Sequence, residues 1–231
     1  EILANAGFDW IAVDCEHTDI ALPQLATVFR GIHGRGAAPF VRVRENDTLA
    51  IRQVLDLGAQ GVIVPLVNTA AEAEAAVAAA KYPPVGKRGY AFCRANDHGV
   101  DFDEYVRRAN DEIAVVVMIE SREAVENIDS IIAVKGVDGV FIGPYDLSGS
   151  YGIPGRTMDK EILQARRRIL DACSWAGKSA GLHVVIPDEQ QIEQAIEDGF
   201  TLLALAGDTI FLNHAARQAL GPARRAIRRK E

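Results

Sequence analysis

Seven short apolar runs punctuate the chain: WIAV (10–13), PFVRV (39–43), GVIVPLV (61–67), AVVVMI (114–119), GVFIG (139–143), AGLHVV (180–185) and LLALAG (202–207). A strand with one wet face alternates apolar and polar residues. These runs are instead Val-, Ile- and Leu-rich, the pattern of parallel strands covered on both faces. Between them lie segments of helical period: LPQLATVFRGI, LAIRQVLDLGA, AAEAEAAVAAAKY, SREAVENIDSIIAV, KEILQARRRILDACSWA and DEQQIEQAIEDG, with TIFLNHAARQALG after the last run. Strand followed by helix throughout defines an α/β chain with a parallel sheet.

The expected architecture is a (β/α)8 TIM barrel, a single domain over residues 1–231. That fold has eight strands. The opening EILANAGFDW reads as a helix tail leading into WIAV, so the first strand is expected before residue 1. An open doubly wound sheet is the rival, but no G-x-G-x-x-G or Walker pattern follows a strand. One connection is abnormal. From Tyr82 to Ile113 the chain holds YPPVGKRGYAFCRANDHG and a helical DFDEYVRRAND, and links of such length are commonly functional or interfacial.

With 48% hydrophobic and 25% charged residues the chain has material for a core. Its net charge of −7 argues against a nucleic-acid surface, which needs clustered Lys and Arg. The C-terminal RRAIRRKE reads as the exposed end of a last helix, where cations suit the macrodipole. No apolar run is long enough for a membrane span and no signal-peptide pattern opens the chain, so a soluble, cytoplasmic protein without membrane partners is expected. Cys15, Cys93 and Cys173 are odd in number and far apart, which indicates neither a disulfide framework nor a zinc knuckle.

In such a barrel the chemistry sits at the C-terminal ends of the strands. The polar residues closing the runs are Asp14, Glu16 and His17; Arg42 and Arg44; Asn68; Glu120; Asp146; His183; and Asp208. Glu120 and Asp146 close consecutive strands, which lie only ~5 Å apart. Carboxylates that close repel unless a cation lies between them or one holds a proton. Two carboxylates with open positions suit Mg2+ or Mn2+. Taken singly, Glu120 also reads as a helix N-terminal carboxylate and Asp146 as a cap or turn residue. His17 and Arg42 on the same rim complete an apparatus for an enolate, with Arg42 holding the oxyanion and His17 moving a proton. A Schiff-base mechanism needs a lysine in or at the end of a strand, whereas Lys81, Lys87, Lys135, Lys160, Lys178 and Lys230 fall on helices, in loops or before strands.

AGFDWIAVDCEH, VRVRENDTLAIRQVLDLGAQGVIVPLV, YPPVGKRG and IESREAVENIDSIIAVKGVDGVFIGPYDLSGSYG resemble, in order and across nearly the whole chain, the metal-dependent (class II) pyruvate aldolases of the 4-hydroxy-2-oxoheptanedioate and 2-dehydro-3-deoxyglucarate aldolase family. The resemblance implies an aldehyde-lyase that cleaves 4-hydroxy-2-oxo acids to pyruvate and an aldehyde, in aromatic or sugar-acid catabolism. It places the metal ligands on Glu120 and Asp146, the catalytic histidine on His17, its supporting carboxylate on Asp56, and the arginine for the keto oxygen on Arg42. It also implies that the turn at Gly143, Tyr145 and Asp146 holds the pyruvate carboxylate, that the cofactor is Mg2+ or Mn2+ with Co2+ as a third option, and that the protein is a homo-oligomer, a trimer or a hexamer with an exchanged C-terminal helix. Met118, Cys15 and Tyr145 depart from the family pattern and are expected to crowd the pocket. A citramalyl- or malyl-CoA lyase type enzyme and a non-catalytic binding barrel are the alternatives.

Overall fold

In a computed structural model that describes residues 1–228, seven strands are present: β1 (Trp10–Asp14), β2 (Ala38–Arg42), β3 (Gly61–Val64), β4 (Ala114–Ile119), β5 (Gly139–Ile142), β6 (Ser179–Val184) and β7 (Leu202–Leu205). The helices are α1 (Ile2–Asn5), α2 (Leu22–Ile32), α3 (Thr48–Asp56), α4 (Ala70–Ala80), α5 (Phe102–Glu112), α6 (Arg122–Glu126), α7 (Ile128–Ile132), α8 (Pro144–Ser150), α9 (Lys160–Ala176), α10 (Glu189–Asp198) and α11 (Asp208–Arg228). Strand order follows the sequence from β1 to β7, and each described pairing is parallel. The fold is therefore α/β with seven parallel strands among the described residues, matching the seven apolar runs; they are consistent with a TIM-like barrel but do not make the closed eight-stranded one that was expected. Residues 229–231, the end of the basic C-terminal cluster, lie outside the described residues.

The chain divides into two compact units, Glu1–Ala180 and Gly181–Glu231. In the first, β1 to β5 pair in succession with registers such as Val13↔Val41, Ile63↔Val116 and Ile119↔Ile142. β3 and β5 are buried at every position, and β4 at all but its first, so these three runs mark strands covered on both faces, whereas β1, β2 and β7 are mostly half-buried and do not meet that expectation. Gly61 has a packing reason: a Cβ there would fall 2.2 Å from Phe40 Cε1. In the second unit β6 and β7 pair through Leu182↔Leu203 and Val184↔Leu205. His183 Nε2 meets the Ala206 carbonyl at 2.9 Å there, and the Asp208 carboxylate accepts from Thr209 N. α11 exposes most of its length, including Leu212 and Leu220.

Helix starts are set by local polar chemistry. Asp47 accepts from Leu49 N and Ala50 N, Thr69 and Glu72 form a reciprocal capping box, and Ser121 accepts from Ala124 N. Two expectations change. GVIVPLV ends as a strand at Val64, because Pro65 follows and Leu66 takes a left-handed φ of 55°. SREAVENIDSIIAV forms two short helices, not one: Asn127 leaves helical geometry (φ −92°, ψ 5°) and its side-chain N–H donates to the Asn68 carbonyl at 2.8 Å. The long link carries a short 3-10 turn at Arg94–Gly99 before α5. No described helix is long and apolar enough to cross a membrane, and the three cysteines are free thiols.

Candidate active site

The ends of β1, β2, β4 and β5 bring five charged side chains to one rim: Asp14, Glu16, Arg42, Glu120 and Asp146. Arg42 is its hub. Its Nε donates to Asp14 Oδ1 at 2.9 Å and its Nη2 to Asp14 Oδ2 at 2.5 Å, while Nη1 stands 3.1 Å from Glu16 Oε2. Burial alone would raise the Asp14 carboxyl, but the hydrogen bonds and charge of Arg42 outweigh it and hold Asp14 below the ordinary aspartate value. The same pairing outweighs burial at Arg42 and pushes its guanidinium up. Asp14 Oδ1 also accepts the backbone N–H groups of Glu16 (3.0 Å) and His17 (3.3 Å), so one carboxylate both fixes the arginine and folds the loop that carries the histidine.

Glu120, one residue past β4, is only 5% exposed. Its Oε1 accepts from Leu66 N at 2.7 Å, a donor that the left-handed turn at Leu66 supplies. Its other side lies on Gly143, where a Cβ would come within 2.6 Å of Oε2. Glycine at 143 is what lets the carboxylate lie against the start of α8. Burial raises the Glu120 carboxyl, the Leu66 N–H pulls it back, and the charges of Glu16 and Asp146 push it up again, leaving it above the ordinary glutamate value. Burial likewise leaves Glu16 raised against the pull of Arg42 and His17. Glu16 Oε2 is buried and faces Arg42 without hydrogen-bond geometry.

A buried carboxylate among like charges calls for a cation or a proton. Among the described residues no group of three or more His, Cys, Asp or Glu side chains converges to hold a metal. The charges of Glu16 and Asp146 are felt at Glu120, and carboxylates grouped in this way are oxygen donors of the kind a hard divalent cation takes when small oxygen ligands complete its shell. Asn68 ties the neighbouring loops together: its Oδ1 accepts from Ser121 Oγ and its Nδ2 donates to the Leu66 carbonyl.

His17 stands at the rim with its side chain 66% exposed, Nε2 3.6 Å from Glu16 Oε2. Asp146 lies in the first turn of α8, where the first helical bond runs from Leu147 N to the Gly143 carbonyl; the N–H groups of Tyr145 and Asp146 precede it. Of the three residues that depart from the family pattern, Tyr145 is 61% exposed, whereas Cys15 and Met118 are buried.

Asp56 is elsewhere. It is the last residue of α3, which leads through Gln60 to the start of β3, the end of the sheet opposite to the one where His17 follows β1. There its Oδ1 accepts from Arg88 Nη2 at 2.8 Å. Within one chain Asp56 and His17 are not brought together. Lys81 is buried, but its Nζ donates to the Ile113 and Asn110 carbonyls, just before β4 begins, so among the described residues no buried lysine serves the rim. The sequence singled out Asp14 only as a strand-end residue, and the Leu66 N–H carried no residue-type signal at all.

Charged residues gathered where parallel strands end, one of them a buried carboxylate, are the arrangement of an α/β enzyme site. A family model described as HpcH/HpaI aldolase/citrate lyase matches residues 1–215. A 4-hydroxy-2-oxo-heptane-1,7-dioate aldolase of Shigella sonnei is 40% identical over 218 residues, covering 94% of this chain and 82% of that protein. A hydroxypyruvate/pyruvate aldolase of Roseobacter denitrificans is 39% identical over 214 residues, covering 92% and 82%. A crystal structure of an aldolase/citrate lyase family protein from Burkholderia cenocepacia superposes with a TM-score of 0.91 at 33% identity, covering 96% of this chain and 88% of that one. The chain belongs to the HpcH/HpaI aldolase/citrate lyase family.

Proposed function

We propose that this protein is a divalent-metal-dependent aldolase that cleaves 4-hydroxy-2-oxo acids to pyruvate and an aldehyde, and joins them in reverse. The observation that carries the reading is the buried Glu120 carboxylate lying beside Asp146 and Glu16 on the rim that Arg42 organises, in a chain whose relatives are named as aldolases. Glu120 and Asp146 would hold the cation, Mg2+ or Mn2+, with Co2+ as a third option. When bound, such a cation supplies the positive charge that makes the pyruvate enolate accessible.

The chain's own groups do the rest. Arg42 commits Nε and Nη2 to Asp14, which fixes the plane of the guanidinium; its Nη1, beside Glu16 Oε2 but without a hydrogen bond to it, is the group left for the keto oxygen. The N–H groups of Tyr145 and Asp146, beside Gly143, take the pyruvate carboxylate. His17, exposed and next to Glu16, exchanges a proton with the oxygen on C4, a role worth typically 10²- to 10⁴-fold. Asp56 can support His17 only from a second copy of the chain, since its own fold puts the two at opposite ends of the sheet. That agrees with a homo-oligomer, trimeric or hexameric, and the exposed apolar residues of α11 support one. The sequential parallel strands and the close superposition on a family structure support reading the chain as one (β/α)8 barrel domain. A cytoplasmic enzyme of aromatic or sugar-acid catabolism is the accompanying reading.

Deuterium entry at C3 of pyruvate, followed by NMR with Mn2+ and with a chelator, tests the proposal. Exchange that the chelator abolishes is expected. Absence of exchange with every divalent metal overturns it.

A further inference from the structure

We infer that Arg44 selects the aldehyde partner, favouring one that carries an oxyanion, carboxylate or phosphate, over a neutral one of equal length. The inference rests on the aldolase reading above and adds to it a residue that the reaction itself does not use.

Arg44 follows Arg42 by two residues past the end of β2, and it reaches a different partner from the Asp14 and Glu16 that hold Arg42. Its one hydrogen bond, from Nη2 to the Ile20 carbonyl, is long at 3.4 Å and leads to the loop three residues beyond His17. Its charge is felt at Cys15, two residues before His17. The guanidinium thus reaches the β1–α2 loop, the same loop that carries His17, the residue that would handle the aldehyde oxygen.

Two facts leave Arg44 available to a ligand. Arg107, Arg108 and Arg168 each sit on a carboxylate, whereas Arg44 forms no ion pair among the described residues. The rim beside it stays acidic even with the divalent cation of the aldolase reading in place, because Asp14, Glu16, Glu120 and Asp146 outweigh that cation and Arg42 together. An anionic aldehyde approaching that rim meets net repulsion unless a free cation stands on its path, and a guanidinium with N–H groups to spare supplies a two-point contact for a planar or tetrahedral oxyanion. A neutral aldehyde gains nothing from it.

The test measures kcat/KM for addition of pyruvate to succinic semialdehyde, glyceraldehyde 3-phosphate and neutral butyraldehyde, in the wild-type enzyme and in Arg44→Gln and Arg44→Lys. The ratio of charged to neutral kcat/KM is expected to fall at least ~10-fold in Arg44→Gln, mainly through KM, as for loss of a charge-assisted contact. Arg44→Lys should recover part of it, and added salt should erode the wild-type preference. Loss confined to one charged aldehyde identifies carboxylate or phosphate as the group recognised. A ratio that stays within ~2-fold of wild type in Arg44→Gln overturns the inference. Missing chelator-sensitive exchange in the wild-type enzyme overturns the aldolase reading instead, so the two failures are distinct.

Discussion

Arg42 closes on Asp14 through two parallel hydrogen bonds, Nε to Oδ1 and Nη2 to Oδ2, at 2.9 and 2.5 Å. A fork of this kind leaves the guanidinium one orientation, and the same Asp14 oxygen that anchors Nε also gathers the N–H groups of Glu16 and His17. Asp14→Asn keeps the size but converts one acceptor oxygen into a donor facing a cation. Loss of a hydrogen bond to a charged group costs about 1.5–3 kcal/mol. We expect Asp14→Asn to fold with a reduced Tm and to lose turnover along with its hold on the keto oxygen, so that KM for pyruvate rises and kcat falls together. Normal KM and kcat in this variant would show that Arg42 is oriented by something else.

Glu120 makes a prediction about pH. Its carboxyl lies above the ordinary glutamate value of 4.5, so between that value and its own it holds a proton in the folded chain that the unfolded chain has lost. Folding is favoured at low pH by this difference, and the benefit disappears as pH rises through the folded-state value. In chelator, Glu120→Gln, which never ionises, should therefore gain stability relative to wild type as pH rises from below 4.5 toward neutrality. Asp14, held low, works in the opposite direction, but it is common to both proteins and cancels in their difference. Millimolar Mn2+ should reverse the order at neutral pH, because only the wild type gains a ligand. Thermal melts across pH with and without metal check both signs.

His17 separates proton transfer from cation binding. It is exposed and its nearest charged neighbour is Glu16, so its removal leaves Glu120, Asp146 and the Leu66 N–H in place. His17→Ala should keep the Mn2+-induced rise in Tm and lose about 10²- to 10⁴-fold in turnover. Glu120→Ala should lose both. Wild-type turnover in His17→Ala would remove the histidine from the mechanism.

Much of this was legible before any coordinates, for a physical reason. Strands covered on both faces need continuous apolar residues, so AVVVMI and GVFIG announced β4 and β5 almost to the residue, and WIAV marked β1 although that strand is only partly covered. Because parallel strands all end on one side, the polar residues after them, from Asp14 to Asp146, had to share a rim. What the sequence hid depended on backbone geometry that no residue type signals. Leu66 is an ordinary apolar letter, yet its left-handed turn aims the N–H that Glu120 needs. Asn127 breaks a helix that its neighbours' periodicity continued. Asp56 entered through resemblance alone, and its contact with Arg88 joins residues 32 apart in sequence, which no periodicity reveals.

That contact gives the sharpest stability test. The Arg88 side chain is 0% exposed; it donates to Asp56 and to the Tyr105 hydroxyl, and lies 4.6 Å from the Tyr82 ring centroid. A guanidinium so enclosed is tolerable only with its carboxylate, and removing one member of a buried pair costs about 3–5 kcal/mol. Asp56→Asn should sit at the upper part of that range, since it strands the cation among aromatic rings. Arg88→Met should sit lower, because Asp56 is partly exposed and turns to water. For a chain of this size ~1 kcal/mol moves Tm by about 2–4 °C, so losses of roughly 6–20 °C are expected. The double variant should be less destabilised than the sum of the two, because once the cation is gone the carboxylate has nothing to balance. Strict additivity in that double-mutant cycle would mean that the two side chains are neighbours without being partners.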